Sequence, residues 1–388
     1  MDVYILDSLL RRDTLVDRYV SFIWTERFTS YGDFELILHS TPDNRRLFKT
    51  GTLIACSESY YVMSVLTVKN STDSEGKNIL TVNGLSFEKI LDDRVAMGSL
   101  ADLTTSPNWA LTGPPAAVAR QVFHDICVTG ILNSGDVIPF IIEGTIMPDD
   151  TIPEPIDPIT VVIEPQSVYD VIKQICDSYS LGFRILRNGD ASQLYFDIYS
   201  GSDRTTKQTS LGAVVFSPEL DSLQNTTELT SIADYKNVAY VFSPAGFQVV
   251  YPQDVNPDTA GFERRVLMVR ADDITSDNPD VTTALYQRGQ EELAKQRSFS
   301  AFDGEISQNG AYRYGTDYYL GDLVEMRNVD GVTNFMRVTE QIFVSDGEGE
   351  RSYPTLSVNL FIDTGTWLSF EATKQWIDMG ETEYWATM

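Results

Sequence analysis

Apolar and polar side chains alternate over short stretches near both ends of the chain. In residues 33–38, Phe34, Leu36 and Leu38 fall on one face, which is the period-two pattern of a strand with one buried side. Residues 59–69 and 78–85 flank the polar loop STDSEGK and predict a hairpin. Further strands are predicted at 3–6, 236–242, 264–270, 316–328, 335–344 and 352–361.

Helical periodicity appears in the middle of the chain and once more towards its end. Residues 116–128 place a stripe of apolar side chains on one helical face. Residues 167–180 have the clearest helical pattern, with Ser167 and Asp170 placed as in a capping box. The stretch 281–297, with Asn278-Pro279 as its predicted cap, has a thin stripe and predicts a helix that packs on one side only. Short helices are also predicted at 41–49, with Thr41 as the N-cap, and at 85–94, and hairpin strands at 182–188 and 193–199.

These elements predict a β-rich α+β protein with three parts and a tail. Strands dominate residues 1–95 and residues 211–362, the latter with an inserted helix at 279–298. An α+β part at 96–210 lies between them. Residues 363–388 form an aromatic C-terminal tail, and we expect it to pack either on the chain's own body or on a neighbouring subunit.

The charge balance excludes some classes of protein. Asp and Glu number 56 against 29 Lys and Arg, a net charge of −27, so the cations that grip nucleic-acid phosphates or an anionic membrane are scarce. The charge either keeps the protein soluble or serves a function. No signal peptide or membrane span is visible, so we expect folding in a cytoplasm and no membrane insertion. Cys56, Cys127 and Cys176 lack metal-site spacing and are expected to be buried thiols.

Few side chains suit catalysis. His39 ends an apolar strand and His124 lies within a helix, and no nucleophile elbow, zinc motif, phosphate-binding loop or dinucleotide motif is visible. The stretch DGEGE at 346–350 lacks the ligand spacing of a calcium loop and predicts a hairpin turn. We therefore predict no catalytic residue, no cofactor site and no metal site. Acidic pairs are expected by chance among 56 acids: Asp92-Asp93, Asp149-Asp150 and Asp272-Asp273.

Five blocks of sequence, in the same order, resemble one protein family. FIWTERFTSYGDFEL (22–36) resembles the N-terminal signature of the siphovirus tail hub family, the minor tail or tail-associated structural proteins. There a strand ending in tryptophan precedes an arginine, an aromatic residue and a Gly-Asp turn, here Trp24, Arg27, Phe28 and Gly32-Asp33. Gly32-Asp33 and Gly321-Asp322 each precede an alternating strand, and we predict that the glycine permits a tight turn and the aspartate caps the local backbone. The other blocks are DYKNVAYVFSP (234–244), LYQRGQEELAKQRSFSAFDGEI (285–306), YRYGTDYYLGDLVEMRN (312–328) and SYPTL (352–356).

The resemblance implies a fold and an assembly. The family is related to the baseplate hub proteins of contractile-tailed phages, so it implies two tube-like β-barrel domains flanking an inserted α+β domain. It also implies a homotrimer whose six barrels form a pseudo-sixfold ring at the tail tip of the virion, assembled in the host cytoplasm. Such a ring adapts the sixfold tail tube to a threefold tip, and DNA passes through it without specific binding. We hypothesise that acids line this channel and repel DNA.

The same resemblance implies partners and argues against an enzyme. A tail tube or distal tail protein lies on one side of such a hub, a tip or receptor-binding protein on the other, and the tape measure protein within. The family members that digest cell walls carry an extra C-terminal domain, and we expect none here. Two other functions stay open: a cell-wall hydrolase that uses an acid pair, and a carbohydrate- or receptor-binding tip module that uses Trp367, Trp376 and Trp385.

Overall fold

The computed structural model describes residues 1–72, 76–99, 109–147, 158–188, 192–220, 222, 224–233, 235–252, 256–272, 274–276, 281–294, 296, 299–305, 312–327 and 333–358. Its contacts divide the chain into two compact units. The large unit comprises Met1–Thr226 and Gly304–Met388, and the small unit comprises Thr227–Asp303.

Strands supply most of the regular structure in the described residues. They are β1 (Val3–Leu6), β2 (Arg12–Val16), β3 (Ser21–Arg27), β4 (Asp33–His39), β5 (Leu53–Cys56), β6 (Met63–Thr72), β7 (Asn78–Ser86), β8 (Val95–Ala96), β9 (Trp109–Gly113), β10 (Ile141–Glu143), β11 (Ile159–Ile163), β12 (Gln166–Ser167), β13 (Gly182–Asn188), β14 (Gln193–Tyr199), β15 (Val215–Phe216), β16 (Gln224–Ser231), β17 (Val238–Ser243), β18 (Gly246–Val250), β19 (Val266–Arg270), β20 (Phe299–Glu305), β21 (Leu323–Arg327), β22 (Thr333–Asp346) and β23 (Gly349–Val358).

The helices follow the periodicity and caps of the sequence. They are α1 (Pro42–Leu47), α2 (Pro115–Phe123), α3 (Val168–Ser178) and α4 (Val281–Ala294), with a π-helical segment at His124–Thr129 and 3-10 segments at Phe87–Asp93, Ser134–Asp136, Pro218–Leu220 and Gly261–Glu263. Thr41 accepts the Asn44 N–H at 3.1 Å, and Ser167 accepts the Asp170 N–H at 3.0 Å, so both predicted N-caps are confirmed. No helix in the described part of the chain is long and apolar enough to cross a membrane.

One sheet organises the large unit and joins distant parts of the sequence. It contains the strand run β23-β22-β3-β4-β7-β6-β5-β1-β2, while β21 pairs with β22 and β15 with β21. The antiparallel pairing of β22 with β3 runs from Glu340 opposite Arg27 to Ser345 opposite Phe22. The prediction of a β-rich protein is confirmed, but among the described residues the strands follow an open path and close no barrel.

The N-terminal strands of this sheet curl around an apolar core. The curl brings the chain start towards β22. The Tyr19 hydroxyl links the two, since it donates to the Met1 carbonyl at 2.8 Å and lies 3.0 Å from Ser345 Oγ of β22. Trp24 and Phe34 are stacked in the core with ring centroids 6.1 Å apart. The alternation in the sequence therefore buries one face of each strand. The core also contains Val3, Ile5, Phe22, Leu36, Leu38, Ile54, Met63, Val65, Leu80 and Val82.

A second core lies in the α+β part of the large unit. Here α2 and α3 pack on the three-stranded sheet β10-β14-β13, in which β10 is parallel and β13 antiparallel to β14. Phe123 of α2 stacks on Phe196 of β14 with centroids 3.8 Å apart, and Tyr169 of α3 meets Phe183 of β13 edge-on at 5.6 Å. The predicted helical stripes are thus the faces that pack on the sheet.

The small unit is a three-stranded sheet with one covering helix. Its strand order is β18-β17-β19, with β18 antiparallel and β19 parallel to β17. Leu285 and Leu293 of α4 are buried against Val241 and Val269, so the helix packs on one side only, as its thin stripe predicts. Its predicted cap, Asn278-Pro279, lies outside the described residues, as does the tail at 363–388. The division of the chain at residues 95, 210 and 362 stays a prediction.

Candidate functional site

The two histidines lie apart, on the outside of the large unit. His39 is the exposed last residue of β4. His124 is half exposed at the start of the π-helical segment, and its Nδ1 pairs with Glu143. Among the described residues, no three His, Cys, Asp or Glu side chains are grouped closely enough to hold a metal ion. The prediction of no catalytic residue stays a prediction.

The acidic stretches occupy ordinary structural positions. Asp92 and Asp93 both pair with Lys89 within one 3-10 segment, at 2.9 and 3.4 Å. The stretch at 346–350 forms the turn between β22 and β23, where Asp346 accepts the Glu348 N–H at 2.9 Å, so the predicted hairpin turn is confirmed. Asp272 is exposed. Asp149, Asp150 and Asp273 lie outside the described residues.

All three cysteines are buried free thiols, as predicted. Cys127 and Cys176 belong to the core under α2 and α3, and Cys56 belongs to the core of the N-terminal strands. Burial raises the pKa of Cys127 to about 12 and raises the pKa of the other two. Since the thiolate is the reactive form, these thiols are inert packing groups.

A buried polar cluster lies where the N-terminal strands meet the α+β part. We call it the polar joint, and its members are Glu26, Glu88, Arg184, Asp197 and Tyr314. Four of its members are almost fully buried, on strands β3, β13 and β14 and on the 3-10 segment at Phe87–Asp93. Tyr314 precedes β21. The polar joint therefore gathers residues from all three predicted parts of the chain.

Glu26 is the member with the most hydrogen-bond donors around it. Its carboxyl group accepts from Tyr314 Oη at 2.8 Å, from Trp24 Nε1 at 3.3 Å and from Ser59 Oγ. Burial raises the pKa of Glu26 above its ordinary value, and these three donors partly offset that effect. The cluster of donors is the arrangement that a buried carboxyl group needs in order to be tolerated.

Glu88 is buried as deeply as Glu26, and hydrogen bonds from Ser86 and from backbone N–H groups partly offset the effect of burial. Its Oε1 accepts the Ile185 N–H at 2.5 Å, whereas its Oε2 has no hydrogen-bond partner among the described residues. Burial raises the pKa of Glu88 to about 7, and the nearby Glu26 adds to the rise. Glu88 is therefore a carboxylic acid that is partly protonated near neutral pH.

Arg184 and Asp197 form the charged pair of the polar joint. Arg184 donates to Asp197 Oδ2 from Nε at 3.1 Å and from Nη2 at 2.7 Å, and its guanidinium lies 3.7 Å from the Tyr199 ring centroid. The two residues face each other in register between β13 and β14. Because both side chains are buried, loss of either one leaves the other charge without compensation.

The cavities near the polar joint are small. One of about 40 Å³ is bordered by Glu26, Ser59, Tyr61 and Arg184, among other residues, which is room for water but not for an organic substrate. An open groove of about 260 Å³ lies beside it and is lined by Tyr312, Tyr314 and Phe343 together with charged side chains.

The carboxylates that line this groove already have partners. Glu350 pairs with the terminal amine of Met1, and Glu58 accepts from Ser57 Oγ at 3.1 Å. These contacts hold the chain start and the neighbouring loop in place. The polar groups in this region thus serve to connect segments of the chain.

The two Gly-Asp turns are architectural, as their sequence indicates, but they differ in depth. At the first turn, the Gly32 N–H donates to Ser86 Oγ at 2.7 Å and Asp33 pairs with Arg27 at 2.7 Å near the surface. At the second, Asp322 is buried and accepts the Ser202 N–H at 2.7 Å and the Tyr319 N–H at 2.9 Å.

Arg204 completes the second turn. Its Nε donates to Asp322 Oδ2 at 2.6 Å. The predicted capping of backbone by aspartate is thereby confirmed at Asp322, whereas Asp33 serves in an ion pair instead. Gly321 has φ +93°, which favours glycine, and a Cβ there would lie 2.6 Å from the Phe28 ring.

The sequence pattern did not lead us to predict the polar joint, although two of its residues stand out in the sequence. Arg184 and Asp197 interrupt two otherwise apolar strands, GFRILRN and QLYFDIY, with opposite charges. A charged residue inside a strand buried on both faces requires a partner, and the hairpin register supplies it. Glu26 and Tyr314 gave no such signal, because 288 residues separate them and they belong to no shared local pattern.

Three solved structures share the fold. A tail protein from Neisseria meningitidis MC58 is 12% identical, with a TM-score of 0.55 over 92% of this chain and 96% of its own. The prophage MuSo2 43 kDa tail protein from Shewanella oneidensis is 12% identical, with a TM-score of 0.57 over 92% and 97%. The prophage tail protein gp18 from Listeria monocytogenes EGD-e is 10% identical, with a TM-score of 0.50 over 93% and 95%. The fold is therefore one found in phage tail proteins.

The chain belongs to the family of Siphovirus ReqiPepy6 Gp37-like proteins, whose family model matches residues 2–355. The siphovirus tail resemblance of the five sequence blocks is thus confirmed. Family and fold together support a structural role in the phage tail, a location in the virion tail and contact with other tail proteins. A search of curated proteins found no match.

Proposed function

We propose that this protein is the structural hub at the tail tip of a long-tailed phage. Three copies form a ring that adapts the sixfold tail tube to a threefold tip and leaves a channel for DNA. The observation that carries the proposal is the pairing of β22 with β3, which joins the first and last strand regions into one sheet. A continuous sheet resists the shear that a tube-bearing ring experiences, because its strands are held along their length by backbone hydrogen bonds.

The ring needs two similar β lobes from each copy. We assign them to residues 1–95 and 211–362, with residues 96–210 as the α+β part between them. In a trimer, two tube-like lobes per copy give six positions around the axis, which matches the symmetry of a tail tube. The polar joint supports this arrangement, because Tyr314 bonds Glu26 between the third and first parts, and the Ile185 N–H bonds Glu88 between the second and first.

The partners follow from the position of a hub. A tail tube or distal tail protein binds one face of the ring, and a tip or receptor-binding protein binds the other. The tape measure protein and then DNA occupy the channel. With a net charge of −27 the chain can line this channel with acids, and phosphates are repelled from such a wall.

The proposal includes no enzymatic role. Glu26 and Glu88 have raised pKa values, but Glu88 is buried and Glu26 borders a cavity of about 40 Å³, which is too small for a glycan. Purified protein is expected to release no soluble fragments from peptidoglycan. Clear turnover, lost on change of a named acid, would establish a hydrolase instead.

A receptor-binding role is the second candidate, and the open groove favours it. Tyr312 and Phe343 line the groove together with Arg313, and aromatic rings beside charged donors are the side chains that bind saccharides. Glycan binding that disappears in Tyr312→Ala would support this role. Binding that persists would exclude the groove as its site.

Electron microscopy of the purified full chain tests the hub directly. We expect ring-shaped particles with threefold symmetry and a central opening. Particles without a ring, or rings of another symmetry at concentrations where the chain is fully assembled, contradict the proposal.

A further inference from the structure

The three-stranded sheet of the small unit has one face without a covering element in the described residues. Residues Ala239, Val241, Val250 and Val269 point towards α4 and are buried. Side chains alternate along a strand, so the intervening residues point to the opposite face.

The opposite face presents a continuous apolar and aromatic surface. We call it the aromatic face, defined by Tyr240, Phe242, Phe247, Val266 and Met268. Phe242, Phe247 and Met268 are 42%, 51% and 65% exposed. The rings of Phe242 and Phe247 lie 5.0 Å apart, those of Tyr240 and Phe247 lie 5.9 Å apart, and Met268 is in register with Tyr240. Large apolar side chains grouped in this way mark an interaction surface.

Two arginines lie on or beside the aromatic face. Arg270 is in register with Phe242 and shares its face. Arg264 flanks the sheet, where it donates to the hydroxyls of Tyr240 at 3.2 Å and Tyr251 at 3.4 Å. Aromatic rings combined with arginine are the composition of binding hot spots. In a chain of net charge −27, a patch that carries arginines selects an acidic partner.

The area of the aromatic face suits a peptide segment better than the surface of a folded protein. Three paired strands of about five residues cover on the order of 250 Å² on one side. Two folded proteins need about 800 Å² on each partner for a stable contact. A peptide segment with a few large side chains is the occupant that fits.

We propose that residues 363–388 of a neighbouring copy bind the aromatic face. That stretch of sequence contains Trp367, Trp376 and Trp385, and five acids against Lys374 alone, so its charge and apolar content complement the face. Copies of such an acidic chain repel one another, and an exchanged segment supplies an attractive contact between them. The inference rests on the proposed trimer, which provides the neighbouring copy.

Photo-cross-linking of the full chain tests the inference. Met268 is replaced by p-benzoylphenylalanine in ¹⁴N protein, which is mixed with ¹⁵N protein, dissociated, reassembled and irradiated. We expect cross-linked peptides that join position 268 to residues 363–388 of the other isotope. The matched control places the same probe at Leu66, an exposed strand residue of the large unit, and at least tenfold fewer such peptides are expected.

The outcomes separate the inference from the proposed function. A trimeric mass with no cross-link to residues 363–388, or with cross-links only within one copy, overturns the inference and leaves the hub intact. A monomeric mass overturns both. Arg270→Glu, at an exposed position, reverses the charge without disturbing the core, and it is expected to lower the cross-link yield at least fivefold. An unchanged yield in that variant also overturns the proposed recognition.

Discussion

Tyr314 donates a hydrogen bond of 2.8 Å to the carboxyl group of Glu26, although 288 residues separate the two in the sequence. The contact lies inside the protein, where an unpaired carboxyl oxygen is costly. It therefore fixes the segment that precedes β21 against β3. The region of the chain that contains β21 and β22 is thus held to the N-terminal strands by a side chain as well as by the sheet.

Removal of this donor should destabilise the protein. In Tyr314→Phe the Glu26 Oε2 loses its hydroxyl partner in a buried place, and we expect a loss of about 2 kcal/mol in the free energy of unfolding. Urea denaturation followed by circular dichroism measures it. The control is Tyr60→Phe, since Tyr60 is exposed, and its midpoint should match that of the unchanged protein. Equal midpoints for both variants would show that the hydrogen bond from Tyr314 to Glu26 does not stabilise the folded protein.

The raised pKa of Glu88 makes stability depend on pH. Its pKa rises from 4.5 in the unfolded chain to about 7 in the folded protein, so between these values the folded state binds more protons. The contribution is fully present below pH 4.5 and is lost as the pH rises through 7. Burial of Glu26 acts in the same direction.

Glu88→Gln isolates that contribution. Relative to the variant, the unchanged protein should lose about 3 kcal/mol of unfolding free energy between pH 4.5 and pH 8. Urea midpoints at four pH values measure the difference. The exposed Glu219 provides the control, because Glu219→Gln should run parallel to the unchanged protein. Parallel curves for Glu88→Gln would mean that folding does not raise the pKa of Glu88.

A series of glycine substitutions separates backbone strain from steric clash. Gly321 has a positive φ and no room beside the Phe28 ring, Gly315 has φ +79° with open space around it, and Gly347 has neither constraint. We expect Gly321→Ala to cost about 3 kcal/mol, Gly315→Ala about 1 kcal/mol and Gly347→Ala nearly nothing. Thermal and urea unfolding give the order. A reversed order would show that the Gly321 turn is not packed as described.

The two Gly-Asp turns should respond differently to loss of their aspartates. Asp322 is 1% exposed and its loss leaves Arg204 and two backbone N–H groups without their acceptor, so Asp322→Ala should cost about 4 kcal/mol. The Asp33 side chain is 46% exposed and Arg27 keeps Glu340, so Asp33→Ala should cost less than about 1 kcal/mol. The free energies of unfolding of the two variants, measured by urea denaturation, test this difference. Equal losses in the two variants would contradict the difference in burial.

Local patterns in the sequence were sufficient to predict several elements of the fold. The stripe and cap of α3, the Thr41 cap of α1 and the turn of the β22–β23 hairpin depend on residues a few positions apart, so the sequence contains the whole signal. The burial of Cys127 and Cys176 followed from their helical faces. Strand β2, with the sequence RDTLV, was not predicted because an edge strand can carry charges on both faces.

Contacts between residues far apart in the sequence could not be predicted from such local patterns. No local feature of β3 indicates that β22 is its neighbour, because any two alternating strands are compatible in pattern. Glu26 looks like an ordinary polar position until Tyr314 and Ser59 are placed beside it. The Gly32-Asp33 and Gly321-Asp322 turns look alike in sequence, and only their surroundings make one a surface ion pair and the other a buried cap.

The mass of the purified full chain in solution distinguishes a trimeric hub from a monomer. Sedimentation equilibrium at micromolar concentration should give about 130 kDa, three times the chain mass of 43.5 kDa. The value should not change with further dilution over the range in which the ring is stable. A mass of one chain at every concentration tested would contradict the hub.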